Sequence, residues 1–368
     1  MARLGDLVTI SSSSEKLKCD TFWLLNLDMV EQQTGNIIEY NYVSKDQLNG
    51  SIIQFDADVV LYSKLRPNLN KVVLPEQAGF ATSEMLPLRP DSSKLLREYL
   101  AVYLRSDSFV TWAVSKTAGA KMPRLGTKEL LGKEFSLPSL CEQRKIVSEF
   151  QKINKLIFLR KKQLSKLDEL VKSRFIEMFG DPVSNDKGWP HQAMDKVAPS
   201  SACSGDSSER VWLLNLDMVE AQTGRIIDYL YVDKAEVGTS TCGFDEGNVL
   251  YSKLRPYLNK VVVPTKKGYC TTELVPLRPN VKLNRQFLAF LLRSDSFVSF
   301  INEKVAGAKM PRVSMNVFRE FECILPPIDL QNEFATFVEQ TDKAKFEIQK
   351  SLEKLETLKK ALIQKYFG

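Results

Sequence analysis

Lys64, Arg66, Asn70 and Lys71 stand in the block Tyr62-Ser-Lys-Leu-Arg-Pro-Asn-Leu-Asn-Lys-Val72, a concentration of side chains able to grip an anionic polymer. The same types return as Lys253, Arg255, Asn259 and Lys260 in block 251–261, which differs only in carrying Tyr257 where the first has Asn68. Arginine and lysine bind phosphate oxygens or guanine O6 and N7, and asparagine pairs with adenine N6 and N7. Pro67 and Pro256 fix the bend on which these residues sit. A second set is Lys121 and Arg124 in Gly119-Ala-Lys-Met-Pro-Arg124, mirrored by Lys309 and Arg312 in block 307–312. Small residues there let backbone N–H groups approach a phosphate beside two cations. The other reading of the first block is a solvated sheet edge with its leucine in the core. For the second it is a helix-ending turn with two exposed cations.

Chemistry on a substrate finds no such support. The single histidine, His191, has no counterpart in the first copy, and there is no phosphate-binding GxxxxGK[ST] or nucleophile-bearing GxSxG. The (Asn/Asp)-Pro-Pro-(Tyr/Phe) motif with which amino-methyltransferases hold a flipped base is missing, since Leu325 precedes and Ile328 follows Pro326-Pro327. Glu303-Lys304 lacks the paired upstream carboxylates of a metal nuclease. Six cysteines form no CxxC pair, and none recurs in the repeat, as a shared zinc site or disulfide would require. The expectation is therefore no catalytic residues, no metal and no cofactor, with incidental thiols in a reducing compartment. No apolar run approaches the ~20 residues of a membrane span, and the opening residues lack a signal-peptide core. A cytoplasmic protein with no membrane partner is expected. The net charge of +6 is only a mild excess, so any DNA-binding face must be local.

The elements carrying these blocks are themselves written twice. Trp23 to Glu31 returns unchanged as Trp212 to Glu220, and the offset of 189 residues becomes 188 by the Gly-Ala-Lys loop. A period this long exceeds the ~20–50 residues of a solenoid repeat. Each copy is domain-sized and suits a nearly two-fold ligand, of which duplex DNA is the commonest. Short segments rich in Ile, Val, Leu, Tyr and Phe at 22–30, 37–43, 52–55, 59–65, 71–74 and 84–88 read as strands, punctuated by turn signals. Helical spacing follows at Leu96, Leu100, Tyr103, Leu104, Phe109, Trp112 and Ala113, and a last strand spans 134–137.

Then the pattern changes. Ser139 and Glu142 spell a capping box, and the chain is free of Gly and Pro from there to Phe179. Ile146, Phe150, Ile153, Ile157, Leu164, Leu167 and Val171 step as a coiled-coil seam broken only at Arg160. Gly180-Asp-Pro182 ends a helix about 58 Å long at ~1.5 Å per residue. The second copy repeats the plan with Ile348, Leu352, Leu355 and Leu362 in the seam, ending at Phe367-Gly368. Residues 141–180 carry ten Lys or Arg against five Asp or Glu, whereas 329–368 carry seven of each. The first helix's surplus either meets a polyanion or acidic partner, or is a solvated face. Two striped helices need cover, and antiparallel pairing is the simplest way to obtain it.

Globule, helix, globule, helix, with Leu-Pro-(Ser/Pro)-(Leu/Ile)-x-x-Gln opening each helix at 137–143 and 325–331, resembles the specificity subunit of type I restriction-modification systems. The Ser-Lys-Leu-Arg-Pro and Gly-Ala-Lys-Met-Pro-Arg blocks are similar to motifs of its target-recognition domains. The resemblance implies an α+β fold: two β-rich target-recognition domains (1–140 and 181–328) alternate with two long helices (141–180 and 329–368). The helices pair as an antiparallel coiled coil with pseudo-two-fold symmetry. It also implies a non-catalytic subunit that reads a split double-stranded DNA sequence. Two modification (methyltransferase) subunits dock on its helices, and restriction (motor–nuclease) subunits join through them. Family members commonly carry dissimilar recognition domains; these two are close copies, so the target is expected to be an interrupted palindrome or nearly one. Asn68 against Tyr257, and residues 76–78 against 265–267, mark where the half-sites can diverge. Two rivals remain: a specificity subunit for a type II-like fused nuclease–methylase, and a coiled-coil scaffold whose β-rich globules bind protein or glycan.

Overall fold

The computed structural model of the chain describes residues 1–10, 12, 20–119, 121–204, 206–306 and 310–368; Cys19, Ala120, Gly307, Ala308 and Lys309 lie outside them. The chain divides into two compact units, Met1–Lys161 with Lys350–Gly368, and Lys162–Gln349. Each unit therefore holds one globule and a segment of both long helices.

In the first unit one sheet orders strands Asn41–Ser44, Thr21–Leu25, Gly79–Thr82 and Ile52–Phe55. A second orders Val8–Ile10, Met85–Pro90, Val60–Ser63 and Val72–Val73. The second unit repeats the first sheet with Leu230–Asp233, Arg210–Leu214, Gly268–Thr271 and Thr241–Phe244. Its other sheet has Val261–Val262, Val249–Ser252 and Leu274–Leu277, and a bridge from Ser200 to Leu277 stands where the first unit has a full strand.

Hydrophobic patterning predicts most of these strands, but not Val8–Ile10 or Gly79–Thr82; in the latter Gly79 and Ala81 interrupt the β-forming Phe80 and Thr82. Its place is set by close approach. A Cβ on Gly79 would lie 2.7 Å from the Trp23 carbonyl oxygen and 3.1 Å from both the Trp23 and Phe55 rings. Glycine there lets the strand pair in parallel with Thr21–Leu25 and close the Trp23–Phe55 core. The expected strand 22–30 stops at Leu25, because Leu27–Met29 turns as a 3-10 helix.

The long helices run Leu140–Phe179 and Ile328–Phe367. Ser139 and Glu142 close the expected capping box, with the Ser139 backbone N–H donating to Glu142 at 3.0 Å and the Glu142 N–H to the Ser139 hydroxyl at 3.3 Å. Inside each unit the two helix segments run antiparallel. In the first, Tyr366 donates to Glu149 at 2.9 Å and Phe367 lies by Phe150. In the second, Arg174 reaches Glu333 at 3.2 Å, Lys345 reaches Asp168 at 2.6 Å, and Phe175 packs on Phe334. Seam residues Ile146, Phe150, Ile153, Val171 and Leu352 are buried, whereas Ile157, Leu164, Leu167, Ile348, Leu355 and Leu362 are half-buried.

The glutamine of each helix-opening motif explains how helix joins globule. Gln143 is fully buried; it accepts from the Leu96 backbone N–H at 2.8 Å and donates to the Lys94 and Pro138 carbonyls at 2.8 and 2.9 Å. Gln331 repeats this with the Asn284 N–H at 2.8 Å and the Lys282 and Pro326 carbonyls at 3.0 and 2.8 Å. One side chain thus satisfies the start of the globule's helix and holds it to the long one. Gln143→Ala strands three buried backbone groups, so a loss of about 3 kcal/mol is expected. Urea denaturation reads it, and an unchanged midpoint would remove the glutamine from this role.

Candidate functional site

The Ser-Lys-Leu-Arg-Pro block ends strand Val60–Ser63 and enters a short 3-10 turn, Pro67–Leu69, flanked by two left-handed residues. Arg66 has φ 47° and Asn70 φ 51°; Arg255 and Asn259 repeat this at 48° and 51°. Among the described residues seven non-glycine residues have positive φ, and six are three pairs related by the repeat: Arg66 with Arg255, Asn70 with Asn259, and Gln33 with Gln222. A left-handed arginine costs about 1–2 kcal/mol, and its presence in both units marks a loop held in place by its surroundings.

Those surroundings are visible. The Arg66 N–H donates to the Pro123 carbonyl at 2.8 Å and its guanidinium reaches the Lys121 carbonyl at 3.5 Å. Leu65 bridges to Arg124, and the Leu125 N–H donates to the Lys64 carbonyl at 2.9 Å. The second unit repeats the clasp through Arg255 to Pro311 at 2.8 Å and Leu254 to Arg312. On the other side, Gln33 donates from its backbone to Leu69 at 3.1 Å and from its amide to Asn68 at 3.0 Å, while Gln222 makes the same two bonds to Leu258 and Tyr257, each at 2.9 Å. The two cationic blocks, separate in sequence, are therefore one site in each unit. Arg66, Lys121, Arg124, Arg255 and Arg312 are exposed, and Lys64 and Lys253 are half-buried; Lys309 lies outside the described residues.

Asn70, Lys71, Asn259 and Lys260 depart from the expectation of direct contact, because their polar ends turn into the protein. Asn70 is 6 % exposed and its amide donates to the Arg105 carbonyl at 3.1 Å; Asn259 matches it on Arg293 at 3.0 Å. Lys71 donates to the Leu27 carbonyl and Lys260 to that of Leu216, and burial lowers both ammonium pKa values against the opposing pull of Asp28 and Asp217. Arg105 and Arg293 lie beneath, their guanidinium groups on the Val72 and Val261 carbonyls. Burial pushes each down to about 10, which leaves them charged at neutral pH. Gly35 and Gly224, at φ +70° and +68°, pass so close that a Cβ would overlap those same carbonyl oxygens.

Sequence reasoning missed Glu84 and Glu273. Glu84 clamps Arg124 with contacts of 3.0 and 3.2 Å, and Arg312 meets Glu273 at 2.8 Å. The hydrogen bond and charge of Glu84 raise the Arg124 pKa and orient its fork. Their recurrence at the repeat offset was the signal that could have found them. His191 pairs in a two-stranded sheet with Ile324, 3.9 Å from Glu322, and no group of three or more His, Cys, Asp or Glu is placed to hold a metal among the described residues. Nor is any described helix long and apolar enough to cross a membrane.

Arg66 gives a prediction that separates strain from contact. Arg66→Gly relieves the left-handed backbone but adds unfolded-chain entropy, so stability is expected to hold or rise by up to about 1 kcal/mol. If the block grips DNA, as its residue types lead one to expect, affinity falls about fivefold for one lost arginine contact of about 1 kcal/mol. Thermal melts and a binding titration read the two effects; a variant that binds as wild type would remove Arg66 from the interface.

Comparison with known proteins gives the family of the chain that carries these loops. The family described as the type I restriction modification DNA specificity domain matches residues 2–169 and 222–360, most of the chain and both copies. The chain belongs to this family. The resemblance carried by the helix-opening motifs is thereby borne out. The EcoDI specificity subunit of Escherichia coli, a type I restriction enzyme component, is 26 % identical over 153 residues. That match spans 40 % of this chain and 34 % of the relative. Among solved structures, the S subunit of the M. genitalium type I system has a TM-score of 0.61 at 13 % identity, with 100 % of this chain and 95 % of that one covered. A chain from a structural study of complex assembly and conformational transition in the type I R-M system has a TM-score of 0.61 at 17 % identity, covering 100 % and 96 %. At these identities they speak for the α+β fold with two long helices. The specificity-domain family thus accounts for the globule–helix duplication.

Proposed function

We propose that this chain is the non-catalytic DNA reader of a type I restriction-modification complex, recognising a bipartite, nearly palindromic target and positioning two modification subunits. The observation that carries the reading is the reappearance, in both units, of one strained loop bearing Lys64 and Arg66, or Lys253 and Arg255, clasped to a second cationic loop. Lys121, Arg124 and Arg312 complete the contact set, with Lys309 assigned by the repeat. Asn70, Lys71, Asn259 and Lys260 hold the loops rather than touch bases. Phosphate contacts supply much of the affinity and a few base contacts the choice of sequence.

Because the loops of the two units share their backbone course, the half-sites resemble each other. Apolar side chains on the long helices supply the partner surface: Leu156, Phe158 and Leu159 are 46, 64 and 43 % exposed in the first unit, and Phe346 is 65 % exposed in the second. Single scattered apolar residues need no explanation, but three within four positions of a helix suit a docking partner. Restriction subunits join through the modification subunits, and the site of action is the cell interior where DNA lies. The test is fluorescence anisotropy of the chain with its modification subunit on duplexes carrying both half-sites, one or neither. Tight, salt-sensitive binding only to the first duplex is expected. Equal binding to all three would refute sequence reading.

A further inference from the structure

Between the two reading loops one exposed side chain differs while the frame does not. The turn backbone agrees within a few degrees: Arg66 and Arg255 at φ/ψ 47/67° and 48/63°, Asn70 and Asn259 both at 51/51°. Residue 68 and its counterpart 257 sit at the middle of the 3-10 turn, each pinned through its carbonyl oxygen by Gln33 or Gln222 at 3.0 and 2.9 Å. Leu69 and Leu258 donate back to Arg66 and Arg255, both at 2.9 Å, so each tip is tied on both sides in the same way. Both side chains are exposed, Tyr257 by 46 %, beside the left-handed arginine. A fixed backbone with a changed, outward side chain is the arrangement that alters choice without altering placement.

We infer that residue 68 and its counterpart 257 determine specificity, and that the two half-sites differ at the base pair each one faces. The inference rests on the proposed reading of the chain as a DNA reader and names where its near-palindrome is broken. Asn68 offers one acceptor and two donors on a short stem, the complement of adenine N7 and N6 in the major groove. Tyr257 cannot make that pair. Its longer, flat, largely apolar ring suits the methyl group of thymine, with a single hydroxyl beyond it. At this position of its own half-site the first unit therefore selects adenine and the second selects thymine in its place. A bidentate match of the asparagine kind favours its base by about tenfold or more.

The experiment maps modified sequences in cells expressing the chain with its modification subunit, as wild type, N68Y, Y257N and the double exchange N68Y/Y257N. Each loop receives a residue that the other already carries, and thermal midpoints check that folding is kept. The wild-type target is expected to have halves that differ at one pair. Y257N should place adenine in both halves, and the double exchange should swap the two bases. Identical halves in the wild-type target overturn the inference, as does a target that neither single variant alters. Loss of all modification by a folded Y257N overturns it too, since the tip would then supply affinity rather than choice. A wild-type chain that directs no modified sequence fails at the level of the reader itself, and takes this inference with it.

Discussion

Replacing Lys64, Arg66, Lys253 and Arg255 together with alanine is expected to weaken binding to the full target by about a thousandfold at ~0.15 M salt, taking about 1 kcal/mol per lost contact. Four cations leave two loops whose backbones are held by other groups, so the effect falls on binding and not on folding. The signature is in the salt dependence. Each phosphate contact removed makes the plot of log affinity against log salt shallower by about 0.9, and a base contact removed lowers affinity without changing the slope. Lys71 and Lys260 provide the contrast, because their ammonium groups are committed to the Leu27 and Leu216 carbonyls. Their alanine variants should lose stability while keeping the wild-type slope. A quadruple variant with undiminished affinity would place the DNA face elsewhere.

Phe334→Ala is expected to cost about 3–5 kcal/mol, the range for emptying a fully buried aromatic site. Phe334 has no exposed surface and lies 5.4 Å from Phe175, 5.5 Å from Phe179 and 5.2 Å from Phe290, ring centre to ring centre. Those rings belong to the last turns of one long helix, the first turns of the other and a globule helix, so one cavity loosens three elements of the second unit. Such a loss is a large share of the roughly 5–15 kcal/mol that holds an ordinary domain. Phe346, on the same helix and 65 % exposed, is the control, with a change within about 0.5 kcal/mol. Phe346→Ala should instead weaken capture of the modification subunit if the helix face docks it. Denaturation curves for both variants check the first statement, and equal midpoints would contradict it.

How far this molecule was legible before its structure follows from which signals are local. The repeat offset, the capping box at Ser139 and Glu142, and the glycine and proline after Phe179 act within a few residues, and the helices form where they predict. The cationic blocks were legible as a list but not as one site, because the bond from the Arg66 N–H to the Pro123 carbonyl joins residues far apart in sequence. Asn70 and Lys71 read as contact residues by type; their burial is decided by Arg105 and Leu27, which no spacing rule connects to them. Gln143 was visible as a motif letter, yet its role depends on a globule helix starting at the right place. Glu84 shows a remaining gain: a charge repeated at the offset beside a repeated opposite charge deserves pairing even before a structure is known.

The most direct test of the account is the modification pattern of DNA in cells with and without this chain. The proposed reader predicts that its removal abolishes modification at one bipartite, nearly palindromic sequence, and that Arg66→Gly lowers occupancy of that same sequence. Modification unchanged in its absence, while the modification subunit is still produced, would contradict the claim that these paired loops choose the target.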